Sequence, residues 1–230
     1  VASAKDVAVI IPISKDHTNL ADRAIKSAEE NGAYRVITVA DCEEYPLPRN
    51  QQYPTVFTGM AVSAGVCHAR NFGISYVKDA SLILPLDADD YLLPDAVERM
   101  AAAWQPGKVV YGGWTERDVL NEAVAQLVKR DASPLEMLNR KHICHATYLF
   151  AKEDWRRVGG YDPDFNIGAE DWEFMIALME AGCELVRLDG DPLYVKTIGD
   201  NERTHKAIRR KDIIKQLLLE KHPDFMTART

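Results

Sequence analysis

The sequence predicts an α/β fold with a Rossmann-like, mostly parallel central sheet, helices on both faces and a C-terminal helical appendage. Two observations carry this. Apolar runs of strand length alternate with segments of helical length through the N-terminal half, the pattern of repeated β-α units. The run at residues 81–86 is apolar without interruption, as expected of a strand covered on both faces, and it ends abruptly in Asp87, Asp89 and Asp90.

The elements follow in order. Residues 7–13 form the first strand, and a helix at 19–30 is closed by Asn31-Gly32 as a left-handed cap. A second strand, 35–40, ends at Asp41, and the polar, proline-bearing stretch 43–54 is a surface loop. After Ala64-Gly65 a helix through Ala69, Phe72 and Ile74 leads to the strand at 81–86, and Pro94 opens the helix at 94–104. Beyond Gly107 the pattern loosens into a strand at 109–111, a helix at 120–129, a strand at 143–151 and a helix at 152–158 ended by Gly159-Gly160. A longer helix runs from 170 to 182 and a strand from 184 to 188. The last helix, 204–221, is amphipathic, with Ile213, Ile214, Leu217 and Leu218 on one side and Lys206, Arg209, Arg210, Lys211 and Lys215 mostly on the other. Pro223 stops it.

Composition narrows the function. With 230 residues, 47% of them hydrophobic, the chain can bury a full core as one domain. A net charge of -7 argues against nonspecific coating of nucleic acid, which requires a broad positive surface. Cys42, Cys67, Cys144 and Cys183 are scattered without a C-x-x-C pair, so neither a zinc knuckle nor a disulfide framework is expected. No apolar run approaches the roughly 18 residues that cross a bilayer, and the N-terminus lacks a basic-then-apolar signal pattern. The expectation is a cytoplasmic chain.

The acids at the strand end are the first candidate site. In an open α/β sheet the carboxyl ends of the strands line the ligand crevice. Adjacent carboxylates repel unless a cation or proton compensates, and hard oxygen ligands suit Mg²⁺ or Mn²⁺ with positions left for phosphate oxygens. A metal-held diphosphate is one reading; acids capping the next helix or sitting in a solvated turn are the other.

A second constellation begins the helix at 170. Glu170 and Asp171 stand in its first turn, where the dipole favours negative charge. Helical spacing places Asp171 in register with Phe174, Met175 and Leu178, and Glu170 with Glu173, Ala177 and Glu180. Asp171 is therefore expected to point inward, as a buried structural cap or as a catalytic base.

Six segments now stand in order: Val9-Ile10-Ile11-Pro12, Val39-Ala40-Asp41, Ala69-Arg70-Asn71-Phe72-Gly73, Leu86-Asp87-Ala88-Asp89-Asp90, Val158-Gly159-Gly160-Tyr161-Asp162 and Glu170-Asp171-Trp172-Glu173-Phe174. Together they resemble a family 2 glycosyltransferase of the GT-A fold, over roughly residues 5 to 200. The resemblance implies a domain at 1–203, with a nucleotide-sugar-binding half at 1–105 and an acceptor and catalytic half at 106–203, followed by the helix and tail at 204–230.

By that resemblance, Pro12, Ser14 and Asp41 flank the nucleoside, with Asp41 accepting a hydrogen bond from the base. An acid suits an imide N–H and so a UDP-linked donor, although Ala40 stands where many relatives carry another Asp. Arg70 and Asn71 lie near the ribose and diphosphate, or Arg70 is a structural ion pair to the acid cluster. Asp87 and Asp89 bridge ribose and Mn²⁺ or Mg²⁺. Relatives often complete the metal shell with a histidine in a Tyr-x-x-His-like segment; here residues 193–198 depart from that pattern, leaving His205 as a substitute ligand or Lys196 as a direct diphosphate contact.

Catalysis falls to the Glu170-Asp171 pair, with Asp171 removing the acceptor hydroxyl proton and the anomeric configuration inverting. Trp172, with Trp114 and Tyr161 as weaker candidates, stacks on an acceptor ring or packs in the core. His142 and His145 fall on opposite faces of a strand, which argues against zinc, and His145 either is structural or faces the acceptor. The acceptor is a glycan, a lipid-linked glycan, a protein or a modified nucleic acid, and the basic face of the last helix permits a peripheral contact with the anionic ones. Two rivals remain. A phosphatase of the haloacid-dehalogenase type requires an aspartyl nucleophile in the first strand, which here ends in Pro12-Ile13-Ser14. A nucleotide-sugar-binding protein without turnover requires a missing acceptor site.

Overall fold

The computed structural model describes residues 1–17, 20–41, 55–59, 63–118, 124–129, 146–198 and 209–227. Strand β1 (Val7–Ser14) lies between β2 (Arg35–Asp41) and β4 (Leu82–Pro85), and β3 (Thr55–Gly59) adds to the far side of β2. These pairings are all parallel. Strand β9 (Phe150–Ala151) closes the other edge antiparallel to β4, giving the order β3-β2-β1-β4-β9.

The residues of β1 explain its central place. Val7, Val9, Ile11 and Ile13 enter one apolar cluster, and Ala8 and Ile10 enter the other, as the period-two alternation of a strand requires. Complete burial of each larger side chain contributes roughly 1.5–3 kcal/mol. The first cluster is covered by α1 (Ala21–Glu30), whose Ala21, Ala24, Ile25 and Ala28 follow helical spacing, and by α3 (Ala96–Ala103). Asn31 and Gly32, the latter at φ 72°, end α1 as the sequence predicts.

The second cluster is covered by α2 (Val66–Tyr76). Gly73 lets that helix approach closely: a Cβ there would lie 2.8 Å from Ile10 Cγ2 and 2.9 Å from Val39 Cγ2. This packing reason accounts for the glycine closing the Ala69–Gly73 motif.

A smaller layer follows. Strand β6 (Lys108–Gly112) pairs parallel with β10 (Glu184–Leu188), and Val110 bridges Leu149, just before β9. A four-stranded sheet has the order β5-β11-β7-β8, from β5 (Tyr91–Leu92), β7 (Trp114–Asp118), β8 (Val124–Lys129) and β11 (Tyr194–Ile198). Helices α4 (Lys152–Val158) and α5 (Glu170–Glu180) complete the domain, and α6 (Lys211–Lys221) and α7 (Pro223–Thr227) form the appendage.

Three expectations change. The helix expected at 120–129 is strand β8 over its described part, because antiparallel pairing with β7 overrides the helix-forming character of its Ala, Gln, Leu and Lys. The strand expected at 143–151 is reduced to β9 and the Leu149 bridge among the described residues. On α6, Ile214 and Leu218 are buried but Ile213 is 56% exposed, so the apolar stripe is narrower than the sequence suggested. Among the described residues, no helix is long and apolar enough to cross a membrane.

Candidate active site

Strand order reverses at β1, because the chain continues to β2 and β3 on one side and returns as β4 on the other. Crevices at such a switch point, outside the carboxyl ends of the strands, are where open α/β sheets bind ligands. The acid cluster follows β4 at this point. Leu86 N–H donates to Ile10 C=O at 3.0 Å, and Asp90 N–H then donates back to Asp87 C=O at 3.1 Å. This tight turn gathers Asp87, Asp89 and Asp90 so that one ligand oxygen from each lies within 4.8 Å of the others.

Strand β11 holds the turn from beneath. Thr197 N–H donates to Asp90 Oδ1 at 2.8 Å, and the Thr197 hydroxyl donates to the Asp89 carbonyl. Burial first, and then the Asp87 charge, raise the Asp89 carboxyl above its usual range, while His17, its own backbone amide and Lys196 oppose. Asp90 is raised well above that range, by burial and then by Asp89 and Asp87, against the Thr197 amide and Lys196. A set of crowded, mutually repelling oxygen donors fits a hard divalent cation. Lys196, half-buried on β11, acts electrostatically on Asp89 and Asp90.

Arg70 joins this cluster to α5. Its side chain is 0% exposed, donates to Asp87 Oδ1 at 2.7 Å and to Glu170 Oε1 at 3.1 Å, and lies over the Tyr161 ring. Burial disfavours the guanidinium charge, but Asp87, Glu170, Tyr161 and Asp171 together outweigh it and raise the Arg70 pKa well above normal. Of the two readings of Arg70, the structural ion pair to the acid cluster is formed, and it extends to Glu170.

The face assignment on α5 is corrected as well. Glu170 and Glu173 are buried, the first against Arg70 and the second against His222, whereas Asp171 is half-buried. Helical spacing finds the apolar row correctly, since Phe174, Met175 and Leu178 are buried, but it cannot foresee cations waiting for the other face. Glu170 therefore opens α5 as a partner of Arg70. The chain enters α5 through Gly168 at φ 129° and Ala169 at φ 63°, the latter a left-handed conformation unusual outside glycine. Trp172 N–H donates to Asp171 Oδ1 at 2.8 Å, and the Tyr148 hydroxyl donates to the Asp171 carbonyl at 3.1 Å.

Other expected site residues divide. Pro12 and Ser14 lie at the end of β1, beside the switch point. Asp41 is buried, and its two oxygens accept from Ala64 N–H at 2.7 Å and Gly65 N–H at 3.0 Å, fixing the entry to α2. The Asn71 oxygen accepts from Tyr161 N–H and Trp155 Nε1, both at 2.9 Å, and its nitrogen donates to Tyr161 C=O at 2.8 Å. Trp114 and Tyr161 are buried in the core, Trp114 stacked on Tyr194. Trp172 is half-buried between two apolar clusters. His142, His145 and His205 lie outside the described residues.

Two residues went unassigned in the sequence. Asp90 was seen in the cluster but given no role, and it proves to be the tie to β11. His17 was missed. It ends the 3-10 turn Lys15–His17 after β1, with Nδ1 3.1 Å from Ser14 Oγ and Nε2 3.9 Å from Asp89 Oδ2. Its position just past a carboxyl strand end was the available signal.

The sequence model of glycosyl transferase family 2 matches residues 9–150, so the chain belongs to that family. A second model, described as the N-terminal domain of galactosyltransferase, matches residues 136–202. Among curated proteins, a hyaluronan synthase of Pasteurella multocida is 25% identical over 165 residues, and a chondroitin synthase of P. multocida strain Pm70 is 24% identical over 165 residues. Each alignment covers 67% of this chain and 17% of the relative, so the chain spans about one sixth of their length. Among solved structures, S. aureus TarS superposes with a TM-score of 0.62 at 15% identity, covering 93% of this chain and 43% of that one. Its 1–349 fragment gives 0.60 at 14% identity, covering 93% and 72%. The fold is GT-A, and the domain is a glycosyltransferase domain.

Proposed function

We propose that this domain is a metal-dependent, inverting transferase that moves a sugar from a uridine-diphosphate donor to an acceptor hydroxyl, with Asp171 as general base. The observation that carries the reading is the Arg70 bridge. One buried guanidinium reaches both the acid turn after β4 and Glu170, the first residue of α5, so Asp171, the next residue, stands within a few side-chain lengths of Asp87.

Residues 1–105 serve the donor, with Pro12 and Ser14 flanking the nucleoside and Asp87 and Asp89 as cation ligands, and Lys196 faces the diphosphate from β11. Asp41 keeps lone pairs for the base beyond those given to Ala64 and Gly65. When bound, Mn²⁺ or Mg²⁺ supplies the positive charge that neutralises the departing diphosphate. Asp171 takes the acceptor hydroxyl proton as that oxygen bonds to the anomeric carbon, and the carbon–oxygen bond to the diphosphate breaks with its electron pair leaving on the phosphate. A single displacement of this kind inverts the configuration. Residues 106–203 hold the acceptor, with Trp172 beside it. The P. multocida relatives, a hyaluronan synthase and a chondroitin synthase, favour a glycan over a protein or a nucleic acid. The exposed Arg209, Arg210, Lys211 and Lys215 suit an anionic one.

A nucleotide-sugar panel read by thermal shift with and without Mn²⁺ identifies the donor, because a ligand that binds the native state raises its stability. Nucleoside diphosphate release then tests turnover. Asp171→Asn is expected to lose roughly 10²- to 10⁴-fold in turnover while still binding donor, and Asp89→Ala to lose the Mn²⁺-dependent shift. Full transfer by Asp171→Asn removes the base assignment; donor binding without release in the wild type leaves the domain a binding module.

A further inference from the structure

We propose that His17 Nε2 is the nitrogen donor of the divalent-cation site it shares with Asp87 and Asp89. The proposal rests on the reading above that a cation occupies the acid turn.

Position is the first argument. His17 follows β1 and the acids follow β4, the two neighbouring strands at the switch point, so the side chains approach one crevice from different elements. The second is distance. A gap of 3.9 Å between Nε2 and Asp89 Oδ2 is too long for a hydrogen bond, yet it is shorter than twice a metal–ligand bond of about 2.1–2.2 Å. The two atoms are thus close enough to share one ion; the set whose ligand oxygens lie within 4.8 Å of one another is Asp87, Asp89 and Asp90, and His17 joins it through Asp89.

Orientation is the third. Ser14 Oγ lies 3.1 Å from Nδ1. When Nδ1–H donates to that hydroxyl, the lone pair stays on Nε2, facing the acids; metal-bound imidazoles are commonly oriented through their other nitrogen in this way. Access is the fourth. The side chains of His17 and Asp89 are 32% and 17% exposed, enclosed enough to be positioned and open enough to admit an ion. The rival reading is a loose ion pair between imidazolium and carboxylate, which binds no metal through nitrogen. An imidazole donor also shifts preference from Mg²⁺ towards Mn²⁺.

The test is Mn²⁺ binding to the whole chain without nucleotide, with free Mn²⁺ counted by electron paramagnetic resonance and bound Mn²⁺ examined by pulsed methods for ¹⁴N coupling. Wild type is expected to bind Mn²⁺ with an imidazole coupling and to prefer it to Mg²⁺. His17→Ala is expected to bind about tenfold more weakly and to lose the coupling, with His17→Gln behaving alike and both melting as wild type does in EDTA. His205→Ala is expected to keep the coupling. Unchanged affinity and coupling in His17→Ala, or loss of the coupling with His205→Ala instead, overturns the assignment and leaves the acid site standing. Failure of wild type to bind Mn²⁺, or equal binding by Asp89→Ala, overturns the cation reading itself and His17 with it.

Discussion

Arg70 and Asp87 meet at 2.7 Å with the guanidinium wholly enclosed, and the same guanidinium holds Glu170 at 3.1 Å. A charge removed from water is tolerated only when paired, so this arginine fixes the distance between the acid turn and the first turn of α5.

Removing the arginine leaves Glu170 buried without its cation. Arg70→Met is expected to destabilise the domain by about 3–5 kcal/mol, read as a lower urea midpoint. Arg70→Met combined with Glu170→Leu is expected to recover a large part of that loss, and a double variant no more stable than the single one refutes the ion-pair account.

Gly73 lies where α2 presses on the sheet, with Ile10 and Val39 methyl carbons inside 3.0 Å of the Cβ an alanine would add. Gly73→Ala is expected to cost about 1–3 kcal/mol through overpacking, despite the better helix propensity of alanine. Urea unfolding with an unchanged slope is the check; a stabilised variant contradicts the contact.

Asp90→Asn keeps an oxygen for the Thr197 amide and deletes one of three crowded charges. In EDTA it is expected to melt above wild type, by the equivalent of about 1 kcal/mol, and to show a smaller gain on adding Mn²⁺. Melting below wild type in EDTA means the hydrogen bond outweighs the repulsion.

His222 ties the appendage to the helix that carries Asp171. Its Nδ1 lies 2.7 Å from Glu180 and its Nε2 3.2 Å from Glu173, both on α5, while Lys221 beside it binds Asp162 and Asp164. Burial lowers the His222 pKa, but hydrogen bonds to Glu173 and Glu180 outweigh it and raise the value above normal. The stabilising contribution is therefore full below the unfolded value near about 6.5 and is lost as pH rises through the folded one. Wild type is expected to lose urea resistance relative to His222→Gln across that interval. Parallel pH profiles for the two proteins dispose of the linkage.

Local chemistry was enough for much of this molecule. The uninterrupted apolar run before Asp87, the Asn31-Gly32 cap, the boundaries of α4 and β10 and the order of the motifs follow from side-chain character and spacing, because a strand buried on both faces and a helix end each demand particular residues close in sequence. What the folded chain alone decided concerns partners distant in sequence. Strand β8 exists because β7 pairs with it. Glu170 is buried because Arg70 waits 100 residues away. Asn71 is held by Tyr161, 90 residues on. His17 faces Asp89 only because β1 and β4 are neighbours. Spacing along one element reports which side chains share a face, and it carries no information on what another element brings to meet them.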